Sequence, residues 1–261
     1  MFDLPALESA LAGTIFSDNL HFCPVTDSTN SDALAAARND APHGSVFFAD
    51  EQRAGRGRGT HAWHSAPGEG LYASVLLRPQ IPVANLPLLP LAAGLAAADA
   101  IRVTTGLAID LRWPNDLLVG PRKTGGILVE SHSESDAVAF VVVGIGINVH
   151  QRTFAPDLST PATSLALETA RSLSRQGLLV ALLKSLEHET IGLLDQAAEE
   201  TIPRRVEAAS TWIRGRQVEV HGPQTCIGVT AGLDQRGFLL VRTADGIVRV
   251  TTGGIRAAEK C

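Results

Sequence analysis

Arg56, Arg58 and Lys123 are the cations in this sequence most readily read as reagents, because each stands beside glycines, in Gly55-Arg56-Gly57-Arg58-Gly59 and in Lys123-Thr124-Gly125-Gly126. A backbone without Cβ atoms can bend toward a ligand and expose its amide N–H groups, and guanidinium forks beside such amides make a receptacle for an anion. Around them stand the amides Gln52, Asn115 and Asn148 and one carboxylate, Asp116. The cations suit phosphates. Asp116, with Asn115, could hold Mg²⁺ through water, since that ion is usually bound by one or two carboxylates and the substrate phosphates. Such a set fits activation of a carboxylate by adenylation, where two anions are brought together and the charge on an α-phosphate under attack is compensated.

Several other chemistries lack their residues. Gly55-x-Gly57 is followed by Thr60 where a dinucleotide fingerprint needs its third glycine, and Gly144-x-Gly146 by Val149. No G-x-x-x-x-G-K-[ST] and no G-x-S-x-G occurs, so neither a P-loop nor a hydrolase elbow is expected. His61 and His64 are three apart in a glycine loop with no carboxylate or thiolate beside them, which does not fix a metal geometry.

The elements that must position these groups are legible from periodicity and punctuation. A short helix is expected at 3–12, with Leu4, Leu7 and Leu11 on one stripe, then a strand at 20–26. Asp27-Ser28-Thr29-Asn30 follows, directly before an alanine- and leucine-rich helix at 31–38; these are N-cap residues, and capping alone would account for them. Strands at 45–50 and 70–78 flank the glycine and arginine loop, and a buried helix at 86–104 ends at Gly106. Strands at 108–113, 117–119, 127–130 and 137–143 put polar breaks around Asp116, Lys123 and Asn148 at neighbouring strand ends, with 121–126 read as a turn. From 172 to 209 the pattern is helical, with an interruption at Pro203. Four short strands at 216–221, 225–231, 237–242 and 246–251 then suggest a compact β-barrel packed on the main domain.

The chain has 261 residues and a formal charge of −5, enough for one large domain and a small appendage and unlike a protein that coats nucleic acid. Cys23, Cys226 and Cys261 form no C-x-x-C pair and are odd in number, which fits a reducing cytoplasm better than a disulfide framework or zinc ribbon. No signal-peptide pattern opens the chain, and the apolar stretch 83–101 is interrupted by Asn85, Pro87, Pro90 and Asp99, so no membrane span is expected.

Ser28-Thr29-Asn30, Gln52-x-x-Gly55-Arg56-Gly57-Arg58, Trp113-Pro114-Asn115-Asp116, Lys123-x-Gly125-Gly126-Ile127-Leu128-Val129-Glu130 and Gly144-x-Gly146-Ile147-Asn148 occur here in one order. In that order the sequence resembles the biotin protein ligases, from about residue 20 to Gly253-Gly254, which looks like that family's closing turn. The resemblance implies a mixed-sheet α/β catalytic domain of the class II synthetase type at 1–212 and a small SH3-like barrel at 213–261. It also implies the substrates ATP, with Mg²⁺, and biotin. Biotinyl-5′-AMP is formed first, and biotin then passes to a lysine of a biotin carboxyl carrier protein, a subunit of acetyl-CoA carboxylase.

Carried over residue by residue, Ser28, Thr29, Asn30 and Gln52 would line the biotin pocket. Gly55, Arg56, Gly57 and Arg58, with Trp63, would close over biotin and the adenylate, and Lys123 would sit between the biotin carboxylate and the α-phosphate, near Gly126 and Gly144. Asn148 would lie near adenine, Asn115 would belong to the same biotin and adenylate site, and Asp116 would help Mg²⁺ or the incoming lysine. Lys123, Arg58 and Asp116 are thus the expected catalytic groups. Two segments depart from the pattern: in the loop Thr60 replaces a glycine and His61 the last arginine, and Arg112 stands for the lysine before Trp-Pro-Asn-Asp.

With 27 residues ahead of Ser28, the expectation is a monofunctional ligase without a DNA-binding domain, acting in the cytoplasm on no nucleic acid or membrane, with a homodimer left open. Two alternatives stand: a lipoate or octanoate ligase or transferase of the related fold, and a non-enzymatic Arg-Gly nucleic-acid-binding module.

Overall fold

In the computed structural model, which describes residues 2–134, 137–194 and 197–258, the glycine and arginine loop is slung between two adjacent strands, the second and third from one edge of a seven-stranded sheet. Cys261, counted above among the thiols, lies outside the described residues; Cys23 and Cys226 are free. The chain enters through α1 (Leu4–Leu11), whose N-terminal amides are capped by the Asp3 carboxylate, and continues into β1 (Leu20–Thr26). Helix α2 (Thr29–Ala37) carries it across to β2 (Val46–Gln52), which lies parallel to β1. Every other neighbour in the sheet is antiparallel: β3 (Gly70–Leu77), β4 (Asp110–Arg112), β5 (Asp116–Val119), β6 (Arg122–Glu134) and β7 (Ala137–Asn148), in the spatial order β1-β2-β3-β7-β6-β5-β4.

Period-two alternation decides what each face of this sheet does. Leu71, Ala73, Val75 and Leu77 of β3 and Val141, Val143, Ile145 and Ile147 of β7 point to the main core, shared with α3 (Leu89–Thr105) and α5 (Arg175–Gly192). On the opposite face Leu76, Phe140 and Val142 pack against Ala33 and Ala37 of α2. Farther along that second face the residues become Ser74 and Tyr72 on β3, Gly144, Gly146 and Asn148 on β7, and Leu128 and Gly126 on β6. One end of the face is therefore filled by a helix and the other left bare.

Helix α3 starts at Leu89 rather than 86, because Val83–Leu88 winds as a 3₁₀ turn around Pro87. By length and hydropathy the segment Val83–Thr105 could cross a membrane, but 61% of its apolar window is buried inside the protein, where it packs against α5. Lys123 to Gly126 belong to β6 instead of a turn: Gly125 and Gly126 pair with Ile147 and Gly146, so glycine here provides clearance within a ladder. For the same reason β7 runs on to Asn148. A short α4 (Leu165–Thr169), unforeseen from the sequence, begins at the Ser164 cap. Helix α6 (Ala198–Ala208) runs through Pro203, which gives up one backbone bond in mid-helix but is buried beside Ile202 and Val206.

The C-terminal residues form five strands rather than four: β8 (Arg214–His221), β9 (Cys226–Leu233), β10 (Leu239–Thr243), β11 (Gly246–Val250) and β12 (Gly254–Ala257). Their order is β11-β10-β9-β8-β12, antiparallel throughout. The fifth strand escaped notice because its first residue is one of two glycines that read as a turn. This small sheet is anchored on the large one: Trp113 Nε1 donates to the Gly237 carbonyl at 3.0 Å, and Trp212 and Ile213 are buried at the junction.

Candidate active site

The bare end of the sheet is the floor of a cleft of about 790 Å³. Its floor is made of glycine because side chains from other elements lie flat on it. Gly126 and Gly146 are register partners, and the Trp63 indole covers both: a Cβ at 146 would stand 2.6 Å from Trp63 Cε2. At Gly144 a Cβ would stand 2.0 Å from Asn30 Oδ1.

At the α2 end, hydroxyls and amides form a continuous chain. Gln52 Oε1 accepts from the Thr29 backbone N–H at 2.9 Å and from its hydroxyl at 3.1 Å, while Gln52 Nε2 donates to Ser65 Oγ at 2.7 Å. Thr29 Oγ1 and Ser74 Oγ share a hydrogen bond of 2.7 Å, and Ser74 Oγ donates to Asn30 Oδ1 at 2.6 Å. Asn30 Nδ2 donates to Glu130 at 2.9 Å, and Glu130 also takes Arg56 at 2.5 Å. Ser28 occupies the N-cap position but makes no side-chain capping bond, so capping does not account for this tetrad; its hydroxyl lines the cleft.

The middle of the cleft is cationic around a single carboxylate. Lys123 Nζ lies 2.5 Å from Asp116 Oδ1 and 5.4 Å from the centre of the Trp63 ring. Arg112 grips the other oxygen, Oδ2, from Nε at 3.0 Å and Nη2 at 2.5 Å, and Nη2 also reaches Thr160 Oγ1 at 2.9 Å. Burial pushes the Asp116 carboxyl up, yet Lys123 and Arg112 together outweigh it and hold the group below its ordinary range. Lys123 itself is pinned through its backbone: its N–H donates to Pro161 O at 2.7 Å and its carbonyl accepts from Thr163 N at 2.9 Å.

The glycine and arginine loop is folded back on itself over this centre. Gly57 N–H donates to His61 O at 2.7 Å and Trp63 N–H to Gly55 O at 2.8 Å. Arg58 leaves the loop's own backbone and bonds across the cleft to the C-terminal residues, donating to the Gly253 carbonyl and, at 3.1 Å, to Thr252 Oγ1. Burial lowers its guanidinium from the ordinary value and Asp116 opposes that, as for a cation partly stripped of water.

Fourteen of the fifteen expected site residues thus line one cleft: Ser28, Thr29, Asn30, Gln52, Arg56, Gly57, Arg58, Trp63, Asn115, Asp116, Lys123, Gly126, Gly144 and Asn148. Gly55 does not. It is buried under the loop, where a Cβ would stand 2.4 Å from the Trp63 carbonyl, so it shapes the turn from behind. Asn115 and Asn148 spend their amide N–H groups on Ile127 O at 2.6 Å and Thr163 O at 3.0 Å.

Sequence reasoning missed the groups that orient others. Ser74 could have been noticed as the one serine of an otherwise apolar alternating strand, and Glu130 as the carboxylate that closes the Lys123 to Glu130 motif. Tyr72 and Gln151 carried no signal. They meet at 3.4 Å in the cleft wall, and Gln151 Oε1, buried with no donor, joins Trp63 Nε1 and Thr124 Oγ1 as the unpaired buried polar atoms among the described residues. The C-terminal contributors His221, Thr252, Gly253 and Arg256 were foreseen only as a packing module.

A resident metal finds little here. No group of three His, Cys, Asp or Glu side chains is placed to hold an ion among the described residues, and Asp116, the one carboxylate lining the cleft, has both oxygens on cations.

The model of the biotin/lipoate A/B protein ligase family matches residues 22–148. The biotin--[acetyl-CoA-carboxylase] ligase of Mycobacterium tuberculosis is 34% identical over 236 residues, 88% of this chain and 85% of that one. The bifunctional ligase/repressor BirA of Bacillus spizizenii is 34% identical over 249 residues, covering 92% of this chain and 74% of its own. Among solved structures, the biotin protein ligase from Aquifex aeolicus in complex with biotin and ATP superposes with a TM-score of 0.78 at 30% identity, over 92% of this chain and 98% of that one. With the ordered motifs gathered round one cleft and relatives matched over most of both lengths, the chain belongs to the biotin/lipoate A/B protein ligase family.

Proposed function

We propose that this chain is a biotin–protein ligase that makes biotinyl-5′-AMP from biotin and ATP and passes biotin to a carrier-protein lysine. The observation that carries the reading is the junction of two unlike halves in one cleft. A neutral chain of hydroxyls and amides, Ser28, Thr29, Asn30, Ser74 and Gln52, adjoins a cationic centre built on Lys123, Arg58 and Arg112. A ureido ring offers two N–H donors and one carbonyl, and an already ordered row of such groups recognises it without leaving buried polar atoms unpaired. The dithiolane of lipoate and the alkyl end of octanoate offer none of these, which favours biotin over the alternative acyl groups.

In the first step a biotin carboxylate oxygen bonds to the α-phosphorus as the bond to the β-phosphate oxygen breaks, and pyrophosphate leaves with that electron pair. Lys123 stands where it can release Asp116 and take the two negative groups together, its cost of approach offset by the same electrostatics that now hold it at 2.5 Å. Arg58 exchanges its C-terminal acceptors for phosphate oxygen. Asn148 at the end of β7 and Gln151 three residues beyond it, both lining the cleft, are the candidates to hold adenine, the unpaired Gln151 carbonyl being an acceptor for its exocyclic amine. In the second step the carrier lysine's neutral amine attacks the acyl carbon and AMP leaves; Asp116 is the carboxylate available to draw that amine in. Mg²⁺ would come with the ATP phosphates, since among the described residues the cleft's one lining carboxylate, Asp116, has both oxygens on cations.

The catalytic part is residues 1–212 in a class II synthetase-like arrangement, and residues 213–261 form an SH3-like barrel. The carrier is the biotin carboxyl carrier subunit of acetyl-CoA carboxylase, and the reaction takes place in the cytoplasm. The Arg-Gly nucleic-acid reading is weakened because Arg56 and Arg58 are committed to Glu130 and to Thr252 with Gly253.

The test is to incubate the protein with ATP, Mg²⁺ and either biotin or lipoate and to search for the acyl-adenylate by mass spectrometry. Biotinyl-AMP is expected, and lipoyl-AMP alone, or no adenylate, overturns the reading.

A further inference from the structure

Arg112 is the register partner of Asp116 across the β4–β5 hairpin, and it takes Oδ2 of that carboxylate with two bonds while Lys123 holds Oδ1. In the proposed first step Lys123 leaves Asp116 for the substrate anions. A carboxylate whose side chain is only 14% exposed is costly to leave unpaired at that moment, and Arg112 is the group that stays with it. Its hold depends on the guanidinium being fixed, because a long side chain free to follow either partner is not preorganised.

What fixes it lies outside the cleft. Strand β4 is three residues long at the edge of the large sheet with one strand neighbour, so its position depends on what meets it from the other side. There the segment 209–212, between α6 and β8, is stitched along it. Leu111 N–H donates to Ala209 O at 3.1 Å, Ser210 Oγ donates to Leu111 O at 2.5 Å, and Thr211 gives its N–H and its hydroxyl to the Asp110 carboxylate at 2.8 Å and 2.6 Å. Trp212 N–H then donates to Ser210 Oγ at 3.0 Å, and the buried indole lies with its ring centre 5.2 Å from Arg112 Cζ. Arg216 of β8 lies 3.6 Å from the same centre and holds the ring from the side of the small sheet. A planar guanidinium can stack on an indole and present its N–H edge to a carboxylate and a hydroxyl at once, as Arg112 does toward Asp116 and Thr160, whereas an ammonium has no such plane. The arginine that departs from the family's pattern at 112 is thus matched by the tryptophan at 212.

We propose that Trp212 is a positioning residue for the adenylation step: its ring aims the Arg112 guanidinium at Asp116, and Arg112 so aimed keeps that carboxylate paired when Lys123 turns to the biotin carboxylate and the α-phosphate. The proposal deepens the ligase reading and rests on it. Trp212 is not among the residues that line the cleft, so it acts on the rate of the step and not on the binding of biotin.

The experiment compares the full wild-type chain with Trp212→Leu, which keeps an apolar side chain but removes the aromatic face, with Trp212→Phe, which keeps a face, with Arg112→Lys, and with the double variant Trp212→Leu/Arg112→Lys. The single-turnover rate of biotinyl-AMP formation is measured against biotin concentration. Trp212→Leu should lower the maximal rate about tenfold, the size expected for a desolvated cation–π contact, and leave the half-saturating biotin concentration unchanged. Trp212→Phe should recover most of that rate. In the Arg112→Lys background Trp212→Leu should cost little more, because the two side chains act as one unit. Nitrogen-15 NMR of the Arg112 Nε–H, assigned by its absence from Arg112→Lys, gives a readout without substrate: slow exchange with water in wild type and Trp212→Phe, fast exchange in Trp212→Leu. Additive losses in the double variant, a rise in half-saturating biotin that matches the fall in rate, or equal Nε–H protection in wild type and Trp212→Leu each overturn the proposal. A wild type that makes no biotinyl-AMP overturns the ligase reading, and the Nε–H comparison tells that result apart from a failure of the positioning.

Discussion

Lys123 is the side chain on which the proposed first step turns, held between Asp116 and the Trp63 ring. Replacing it with alanine removes a preorganised donor to developing charge, so adenylate formation, followed by pyrophosphate release, should fall ~10²–10³-fold. Arg58 has a different task. It spans the cleft to Thr252 and Gly253 and passes from them to phosphate oxygen, and a charge-assisted bond of roughly 1.5–3 kcal/mol corresponds to one or two powers of ten in residence time. Arg58→Gly is therefore expected to make biotinyl-AMP still but to release it on the order of 10–100-fold faster. A streptavidin blot of a lysine-rich bystander protein should then show labelling absent with wild type. Asp116 gives a pH prediction. Its folded pKa is depressed, so its contribution to stability is complete above the ordinary value of 3.8 and is lost as the pH falls from there through the lower folded value. The gap in Tm between wild type and Asp116→Asn should accordingly be widest near neutrality and narrow below that pH. These actors were legible in the sequence because cations among glycines are rare. Their partners were not, since Glu130 and Ser74 matter only through strand register and Arg112 only through the fold that brings Asp116 under it.

At the scale of elements, the bare face of β6 and β7 does what the loop cannot do alone. Gly144, Gly146 and Gly126 give up side chains so that Asn30 and Trp63 can lie against the sheet. A methyl at 144 collides with a small, doubly bonded amide that has nowhere to retreat. Gly144→Ala should cost about 1–3 kcal/mol in thermal or urea unfolding. It should also weaken biotin binding measured by calorimetry more than ATP binding, because Asn30 orders the α2 end. The sequence showed these glycines but suggested turns, and the strands were drawn too short at both. Glycine weakens a strand in isolation; here the ladder of paired neighbours and the side chains lying across it hold the strand extended. The helices were easier, since α3 and α5 carry their apolar residues at the spacing that one buried face requires, and only the 3₁₀ start and Pro203 shifted the limits.

For the whole molecule, the small C-terminal sheet belongs to the core as much as to the surface. Trp113 bonds to Gly237, a Cβ at 237 would stand 2.5 Å from Leu91 Cδ1, and Arg112 and Arg216 lie 5.2 Å and 3.6 Å from the centre of the Trp212 ring. A chain cut after residue 212 should therefore expose Leu88, Leu91 and Trp113, aggregate on purification, and form no adenylate where the intact protein does. Soluble, active 1–212 in the same assay would show that the contact is dispensable. A separate module was visible in the sequence as a change to short strands and turns. That it would supply part of the cleft wall was not, because no residue of that module repeats the chemistry of the others until it is folded beside them.

The wall that Thr252, Gly253, His221 and Arg256 lend to the cleft also sets a timetable. A ribosome delivers α2, the glycine loop and β3 to β7 first, and these already include Lys123, Asp116 and the polar row. The side on which Arg58 finds its acceptors is still inside the exit tunnel. A half-made chain thus carries the reacting groups before it can form or keep the anhydride, and both abilities arrive together once residue 256 has emerged.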